Sequence, residues 1–207
     1  AAALLAATAC LPLFAQTSKP QEAVQLEEVI VTANRREQNL QDVATSVAAF
    51  TDEFFKNSGT ANLKQLEQYT PSLKIAAVQD SRSTSIRIRG IGSIGTNAGI
   101  DPSVGLFIDG VYQGRAGMSI ADFNDTERVE VLRGPQGTLY GKNTAAGAIN
   151  IISKSPREFF EAEIETVIGN YDDLEFRGMV NLPIGDGGNA LRMSGYTVDR
   201  EGFDDNE

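Results

Sequence analysis

Two glycine-containing stretches of the 207-residue sequence have the residue types and spacing that could bind nucleotide phosphates. Residues 90–95 read GIGSIG and fit the G-x-G-x-x-G pattern of dinucleotide sites. Such a site also needs a helix that opens at the last glycine and an acidic residue about 20 positions further on. The residues that follow, 96–102, read TNAGIDP, which is rich in turn formers and has no helical face. The pattern therefore does not favour a nucleotide site.

Residues 141–144 read GKNT and resemble the end of a phosphate-binding P-loop. The match fails at two positions, because Gln136 stands where the first glycine is required and Asn143 replaces the Ser or Thr. We interpret the glycines of both stretches as tight turns at which two backbones pass closely.

The composition argues against several other kinds of chemistry. The chain has no His, no Trp and one cysteine, Cys10. It therefore lacks the commonest general base and zinc ligand, and it cannot form an intramolecular disulfide. The sequence also shows no nucleophile–base constellation and no basic patch of the kind that binds nucleic acid. We predict that the chain is not an enzyme, holds no cofactor or metal, and binds no nucleic acid.

Residues 39–156 read as a small mixed α/β domain with short helices. Thr51, followed by two acidic residues, predicts a helix start, and a second helix is expected over about 62–68. Before these helices, Val43, Val47 and Phe50 recur at a helix-like or mixed spacing. The alternation of charged and apolar residues over 128–133 predicts a half-buried strand. Further strands are predicted at residues 73–78, 85–89, 105–112 (a pair around an Asp-Gly turn) and 148–152.

The last quarter of the chain differs in charge and in pattern. Residues 157–207 hold 4 basic and 13 acidic residues, whereas residues 16–156 hold 14 and 15. Polar and apolar residues alternate along three runs of about ten residues, which are joined by tight turns, as in a transmembrane β-barrel. A soluble antiparallel sandwich gives a similar alternation. The runs and turns are 161–168, 169–173, 174–182, 185–189 and 191–198.

The beginning of the sequence favours the barrel, because it indicates export. Residues 1–15 are apolar and uncharged, as in the hydrophobic region of a secretory signal peptide that is cleaved after Ala15. A buried helix of a soluble protein is the alternative, and Cys10 allows a less well matched lipoprotein site. No run of about 18 apolar residues occurs, so no transmembrane helix is expected.

A short β-branched run, residues 26–34 with the sequence LEEVIVTAN, stands isolated before the mixed domain. It has no neighbour in sequence with which to pair. Such an edge-competent strand suits strand addition to a partner protein, in which main-chain hydrogen bonds supply the affinity. It could equally be the first strand of the next domain's sheet, and the residues alone leave both possibilities open.

Taken in order, these motifs resemble the TonB-dependent outer-membrane receptors, and the resemblance covers essentially the whole chain. Residues 27–33 (EEVIVTA) resemble the TonB box. The other matching motifs are 88–92 (IRGIG), 101–111 (DPSVGLFIDGV) and 127–141 (ERVEVLRGPQGTLYG), the last of which continues to residue 151.

The resemblance implies an α+β plug domain, a small mixed β-sheet with short helices, followed by the first antiparallel strands, about three, of a transmembrane β-barrel of roughly 22 strands. The segments expected on this basis are a signal peptide remnant at 1–15, a periplasmic segment with the TonB box at 16–38, the plug at 39–156 and the start of the barrel at 157–207.

The implied function is energised import of a scarce nutrient across the outer membrane of a Gram-negative bacterium. A ferric siderophore is the family's common substrate, and a vitamin or a saccharide remains open. The periplasmic C-terminal domain of TonB, within the TonB–ExbB–ExbD system driven by the inner-membrane proton gradient, would pair with the box from the periplasm. Outer-membrane lipid would surround the barrel. The expected TonB-binding residues are Glu27, Glu28, Val29, Ile30, Val31 and Thr32.

Two further sets of site residues follow from the resemblance. Arg89 and Arg133 each close a predicted strand and precede a glycine, and such arginines in the family face acidic groups of the barrel wall and help to hold the plug. A guanidinium suits this role because it binds a carboxylate with two nitrogens. The loop from Ser93 to Asp101, with Thr96 and Asn97, is the expected substrate-facing loop of the plug. It has few charges and no His, so direct metal ligation is not expected there.

Overall fold

A computed structural model describes residues 29–33, 35–77, 84–93, 100–114, 123–170, 173–185 and 187–199. The predicted signal peptide, the predicted box residues Glu27 and Glu28, and the loop residues Thr96 and Asn97 lie outside these ranges. The strands are β1 (Ile30–Val31), β2 (Gln38–Asn39), β3 (Val47–Thr51), β4 (Leu73–Ala77), β5 (Thr84–Ile88), β6 (Val104–Ile108), β7 (Val111–Gln113), β8 (Thr126–Arg133), β9 (Gly147–Ser153), β10 (Glu161–Ile168), β11 (Leu174–Ile184) and β12 (Asn189–Asp199). The helices are a 3₁₀ turn (Leu40–Asp42), α1 (Asp52–Ser58), α2 (Leu63–Leu66) and α3 (Gly137–Tyr140).

A five-stranded mixed sheet forms the centre of the first part of the chain. Its strand order is β3-β8-β9-β6-β7, in which β6 and β9 run parallel and the other pairs are antiparallel. The predicted Asp-Gly hairpin is confirmed, since Ile108 and Val111 pair around Asp109 and Gly110, which both have positive φ. The mixed sheet with few short helices agrees with the predicted fold class.

One face of this sheet, the first face, packs against α1, α2 and the β4–β5 hairpin. Its core is apolar and well buried, and it supplies most of the hydrophobic stabilisation of the domain. Its most buried members are Leu63, Leu66, Leu73, Ile88, Leu106, Val129, Val131 and Ile149.

The helix positions agree with the sequence prediction, with one difference in detail. Thr51 is the N-cap residue of α1, but its side chain makes no capping hydrogen bond. Asn62 does cap α2, because its side chain accepts from the Gln65 N–H at 3.1 Å. Gly59 ends α1 in the left-handed conformation, and its N–H bonds to the Phe55 carbonyl at 2.9 Å.

The segment before α1 is a strand, β3, although the spacing of its apolar residues was helix-like or mixed. Each residue of β3 pairs with β8, as Val47 does with Leu132 and Phe50 with Val129. The side chains of β3 therefore divide between the two faces of the sheet, and both faces are covered. A strand covered on both faces has no period-two pattern to read.

The remaining strands, β10, β11 and β12, form a separate antiparallel sheet. Its two faces differ in polarity, as the alternation predicts. One face carries exposed apolar side chains such as Ile164, Ile168, Phe176 and Met193, and the other faces the five-stranded sheet and carries Glu161, Glu163, Glu165, Arg177 and Arg192. Among the described residues, no helix is long and apolar enough to cross a membrane.

Candidate functional site

The described part of the predicted TonB box, together with Ala33, lies on the second face of the five-stranded sheet. We call residues 29–33 the coupling segment. Val31 and Ala33 are 0% and 1% exposed and pack against Phe107, Leu132 and Ala148, whereas Ile30 is 49% exposed. The segment is therefore attached to the domain by its side chains as well as by chain continuity.

The coupling segment does have a pairing partner nearby in sequence, which corrects the expectation of an isolated strand. Ile30 pairs with Asn39 and Val31 with Gln38, and the Leu40 N–H donates to the Val29 carbonyl at 2.9 Å. The resulting two-stranded ribbon is not part of the five-stranded sheet but lies across its face. Arg35, in the connection between the two strands, has a φ of 54°, and its N–H donates to the Thr32 carbonyl at 2.8 Å.

A buried polar network lies directly beneath the segment. Glu130 of β8 is 0% exposed, and its Oε1 accepts from the Thr32 N–H at 2.7 Å and from the Thr32 hydroxyl at 3.0 Å. The Arg128 Nε donates to the same oxygen at 3.0 Å. Asn150, the cross-strand partner of Glu130, donates to its Oε2 at 3.3 Å. All four contacts donate to the carboxylate, as an ionised glutamate requires.

A strand does form where one was predicted at 128–133, but the burial of Glu130 shows that it is not half-buried. Residues 129–132 of β8 are all buried. The face that carries Glu130 is covered by the coupling segment, about 100 residues earlier in the chain. In the alternating pattern, the charge of Glu130 indicated a face exposed to solvent. In the structure, Glu130 occupies a polar site inside the domain.

The Tyr140 side chain closes the network from the other side of Thr32. Its hydroxyl lies 3.3 Å from the Thr32 carbonyl and 3.0 Å from the Ala33 carbonyl, and it accepts from the Asn150 amide at 2.9 Å. The ring packs on Phe107 with centroids 5.1 Å apart. Burial raises the pKa of the Tyr140 phenol, so at neutral pH the phenol keeps the proton that it donates.

Arg133 ends β8, as predicted, and its guanidinium is incompletely satisfied. The Nε is buried and has no hydrogen-bond partner among the described residues, and one terminal nitrogen lies 3.5 Å from the Ser46 hydroxyl. Arg89 follows β5 in an exposed turn with a φ of 54°. Within the described ranges no carboxylate pairs with either arginine, so their predicted role as plug–barrel locks stays a prediction.

A buried ion pair that the sequence did not indicate joins the two sheets. Arg192 of β12 donates from Nε and Nη2 to the two carboxylate oxygens of Asp125, each at 2.6 Å, and from Nη1 to Glu161 at 3.1 Å. The Arg192 and Asp125 side chains are 4% and 11% exposed. Arg192 lies on the polar face of an alternating strand, so the alternation could have predicted that its side chain faces inward. The alternation could not have identified Asp125 as its partner, because the two residues are 67 positions apart.

The connection between the two sheets is held by a second buried group, Asn181 of β11. Its side chain is 0% exposed, accepts from the Arg157 N–H at 2.9 Å, and donates to the carbonyls of Arg157 and Phe159 at 2.7 and 2.5 Å. Every polar atom of the amide is therefore used on the linker between β9 and β10. The linker is fixed on the inner face of the three-stranded sheet.

Between the sheets lies a cavity of about 340 Å³ with a charged lining. Lys56 of α1 crosses one side of it to Glu163 at 3.4 Å, and both side chains are about half exposed. Lys154 pairs with Asp52 at 2.9 Å. Burial tends to raise the pKa of Asp52, but the hydrogen bond and positive charge of Lys154 outweigh it and hold that pKa below its usual value.

The predicted substrate-facing loop is described only at its two ends, which the structure brings together. The Ser93 hydroxyl donates to the Asp101 carbonyl at 2.8 Å and lies 3.0 Å from the Ser103 hydroxyl, while its own carbonyl accepts from Ser85 at 2.6 Å. The Asp101 side chain is exposed and lies 3.7 Å from the Lys142 ammonium. Ser93 therefore closes the base of the loop.

Two glycines of the 90–95 stretch, Gly90 and Gly92, serve the backbone, as we interpreted them. Gly90 has a φ of 79° in the turn after β5, and a Cβ on Gly92 would collide with the Ile86 carbonyl oxygen and lie 2.6 Å from the Arg87 Cγ. Within the described residues, no group of three or more His, Cys, Asp or Glu side chains is arranged to hold a metal ion.

This arrangement of plug-like mixed sheet, docked segment and antiparallel strands agrees with known proteins. The family model of the TonB-dependent receptor plug domain matches residues 39–148, more than half of the chain. The chain belongs to the TonB-dependent receptors, which are outer-membrane proteins, and comprises a plug domain and strands of the early barrel.

Individual relatives show the same relationship. The chain is 31% identical to the pesticin receptor of Yersinia pestis over 84% of its length and 25% of the relative, and 30% identical to the vitamin B12 transporter BtuB of Vibrio vulnificus over 89% and 30%. The crystal structure of the ferric yersiniabactin uptake receptor FyuA from Yersinia pestis superposes with a TM-score of 0.63 at 31% identity, over 69% of this chain and 22% of that one. The chain thus spans about a quarter of the length of its curated relatives.

Proposed function

We propose that this chain forms the coupling segment, plug and early barrel of an active importer that takes up a scarce nutrient through the outer membrane, with a ferric siderophore as the substrate class. The position of Val29–Thr32 carries the proposal. These residues contain the short strand β1 on the surface of a family plug, where a partner can reach the exposed Ile30 side chain. The relationship to a ferric yersiniabactin uptake receptor supports the substrate class.

Strand addition is the mode of coupling that the chemistry of the segment supports. Apart from the Thr32 hydroxyl, its polar groups are backbone N–H and C=O groups, and its side chains are small or β-branched, so a partner strand would bind by main-chain hydrogen bonds. The partner in this proposal is the periplasmic C-terminal domain of TonB, within the TonB–ExbB–ExbD system. The proton gradient of the inner membrane supplies the energy, and the segment transmits it to the plug.

Deletion of residues 27–32 from the full-length receptor tests the coupling. We expect energised uptake of a ⁵⁵Fe-labelled siderophore to fall to background, while the Kd for that siderophore changes less than about twofold. An equal-length deletion of residues 20–25 is the matched control and should leave uptake intact. Uptake that persists without residues 27–32 would overturn the proposal.

The substrate class is tested separately, because a vitamin B12 transporter is also a relative. A receptor-deletion strain that carries this receptor is grown under iron limitation with a panel of ferric siderophores, and then with vitamin B12 as the limiting nutrient. Growth that depends on the receptor with a siderophore supports our proposal. Growth that depends on it only with vitamin B12 would assign the vitamin instead.

Arg89, Arg133 and the loop from Ser93 to Asp101 belong to the same proposal. We assign the arginines to ion pairs with carboxylates of the barrel wall, and the loop to the substrate side of the plug. The buried, unpartnered Nε of Arg133 supports the first assignment, because a buried guanidinium nitrogen is costly unless it is paired. The proposed boundaries are 1–15 for the signal peptide remnant, 16–38 for the periplasmic segment, 39–156 for the plug and 157–207 for the start of the barrel.

A further inference from the structure

We infer that Glu130, Tyr140 and Asn150 are positioning residues that hold the coupling segment docked on the plug, so that the segment must leave them before it can pair with a partner strand. The inference rests on the proposed coupling function and adds a mechanism that controls it. It is argued from the atoms around Thr32, which is the centre of the docked segment.

The backbone of Thr32 is fully committed in the docked state. Its N–H donates to Glu130 at 2.7 Å, and its carbonyl accepts from the Arg35 N–H at 2.8 Å and faces the Tyr140 hydroxyl at 3.3 Å. A strand that adds to an edge forms its hydrogen bonds with these same main-chain groups. Docking and pairing at Thr32 therefore exclude each other.

The network that holds Thr32 consists of side-chain hydrogen bonds and does not use the main-chain hydrogen bonds that pair the strands of the sheet. Glu130 is fully buried and uses one carboxylate oxygen for two bonds to Thr32 and the other for Asn150. Asn150 in turn donates to Tyr140, whose hydroxyl lies 3.0 Å from the Ala33 carbonyl. Glu130 and Tyr140 both accept from Asn150, and their own contacts converge on residues 32 and 33, which lie about 100 positions away in sequence.

Opening exchanges these contacts for water and uncovers apolar surface. Val31 and Ala33 leave the side chains of Phe107, Leu132 and Ala148, and Glu130 keeps Arg128 as its charged partner. Because Arg128 remains, the carboxylate is not left as an uncompensated buried charge. The docked and open forms thus differ by a small number of hydrogen bonds and two buried side chains, which makes the equilibrium sensitive to each bond.

The test is a spin label at Ile30→Cys in the full-length receptor, read without any partner protein. Ile30 is half exposed, whereas its neighbour Val31 is buried. We expect a mainly immobile spectrum in the parent. Tyr140→Phe, which removes only the hydroxyl, should raise the ratio of mobile to immobile label about fivefold, since the segment loses the one hydrogen bond that this hydroxyl can donate to it. Glu130→Gln combined with Tyr140→Phe should raise it further.

The chain offers matched controls for both substitutions. Tyr112→Phe also removes a hydroxyl from a ring that packs on Phe107, but that hydroxyl bonds to Asn143 and not to the segment. Glu127→Gln alters the other glutamate that pairs with Arg128. Both controls should leave the label as immobile as in the parent. A label that Tyr140→Phe and the double variant do not mobilise, or that Tyr112→Phe mobilises equally, would overturn the inference.

Thr32→Val tests the same contact from the segment side and leaves the plug sheet unchanged. It removes the 3.0 Å bond from the hydroxyl to Glu130, and we expect a mobile fraction between those of the parent and of Tyr140→Phe. Label mobility and energised uptake fail independently. If the variants mobilise the label but uptake survives deletion of residues 27–32, the docking network stands and the coupling function is overturned. If the variants leave the label immobile but the deletion abolishes uptake, the coupling function stands and the docking network is overturned.

Discussion

The guanidinium of Arg192 holds the carboxylate of Asp125 through two hydrogen bonds of 2.6 Å across the boundary between the three-stranded sheet and the plug. The plug thus contributes the acid and the barrel strand the base, the reverse of the pairing that we proposed for Arg89 and Arg133. Lys154 donates its backbone N–H to the Asp125 carbonyl at 3.0 Å, which ties the same corner to the linker. A buried ion pair holds this corner, whereas we infer that the network around the coupling segment can open.

Replacing Asp125 with Ala should therefore destabilise the plug in the full-length receptor. Arg192 would stay buried with only Glu161 as a partner, and loss of one member of a buried pair costs about 3–5 kcal/mol. The measurement is the urea midpoint of the plug, read by pulse proteolysis. The charge exchange Asp125→Arg with Arg192→Asp should recover part of the loss.

Lys56→Ala is the control for this experiment, because Lys56 and Glu163 also join the plug to the three-stranded sheet. Their side chains are 59% and 49% exposed, so the pair should contribute only about 0–1 kcal/mol. Equal midpoints for Asp125→Ala and Lys56→Ala would refute the assignment of Asp125 as the main anchor.

A structural feature of this molecule could be predicted from the sequence when the residues that determine it lie close together along the chain. The hairpin at Asp109-Gly110 and the strands β10 to β12 follow from turn residues and alternation within a few positions, and they were predicted. The start of α1 after Thr51 is similarly local. The resemblance to family motifs then predicted the order of the segments along the chain, which is TonB box, plug and barrel strands.

The features that were missed depend on residues that lie far apart. Glu130 is buried because a segment 98 positions earlier covers it, and Arg192 is paired with a residue 67 positions away. The helix-like or mixed spacing of Val43, Val47 and Phe50 did not reveal β3, because both faces of that strand are covered. No local pattern carries these contacts, so they required the coordinates.

Gly92→Ala should lower the stability of the plug although it adds a single methyl group. The added carbon would collide with the Ile86 carbonyl and lie 2.9 Å from the Arg87 Cα, so the backbone after β5 must shift. Overpacking of this kind costs about 1–3 kcal/mol. The receptor recovered from outer membranes and the urea midpoint should both fall. Gly114→Ala, where an added carbon meets nothing within 4 Å, should match the parent, and equal behaviour of the two variants would show that Gly92 is not required for close approach.

Arg133→Ala should loosen the plug in the full-length receptor if its buried Nε is completed by a carboxylate of the barrel wall. Hydrogen bonds to charged groups contribute about 1.5–3 kcal/mol, and we expect a loss of that order in the urea midpoint of the plug. Arg133→Lys should recover only part of it, because an ammonium cannot form the two parallel bonds of a guanidinium. Arg36→Ala, at an exposed position of the ribbon turn, is the control and should have no effect.

The barrel partner of Arg133 is then found by a double-mutant cycle, in which replacing the correct carboxylate adds little to the loss caused by Arg133→Ala. If every inward-facing barrel carboxylate gives an additive loss with Arg133→Ala, Arg133 is not a plug–barrel lock, and its guanidinium serves the plug alone.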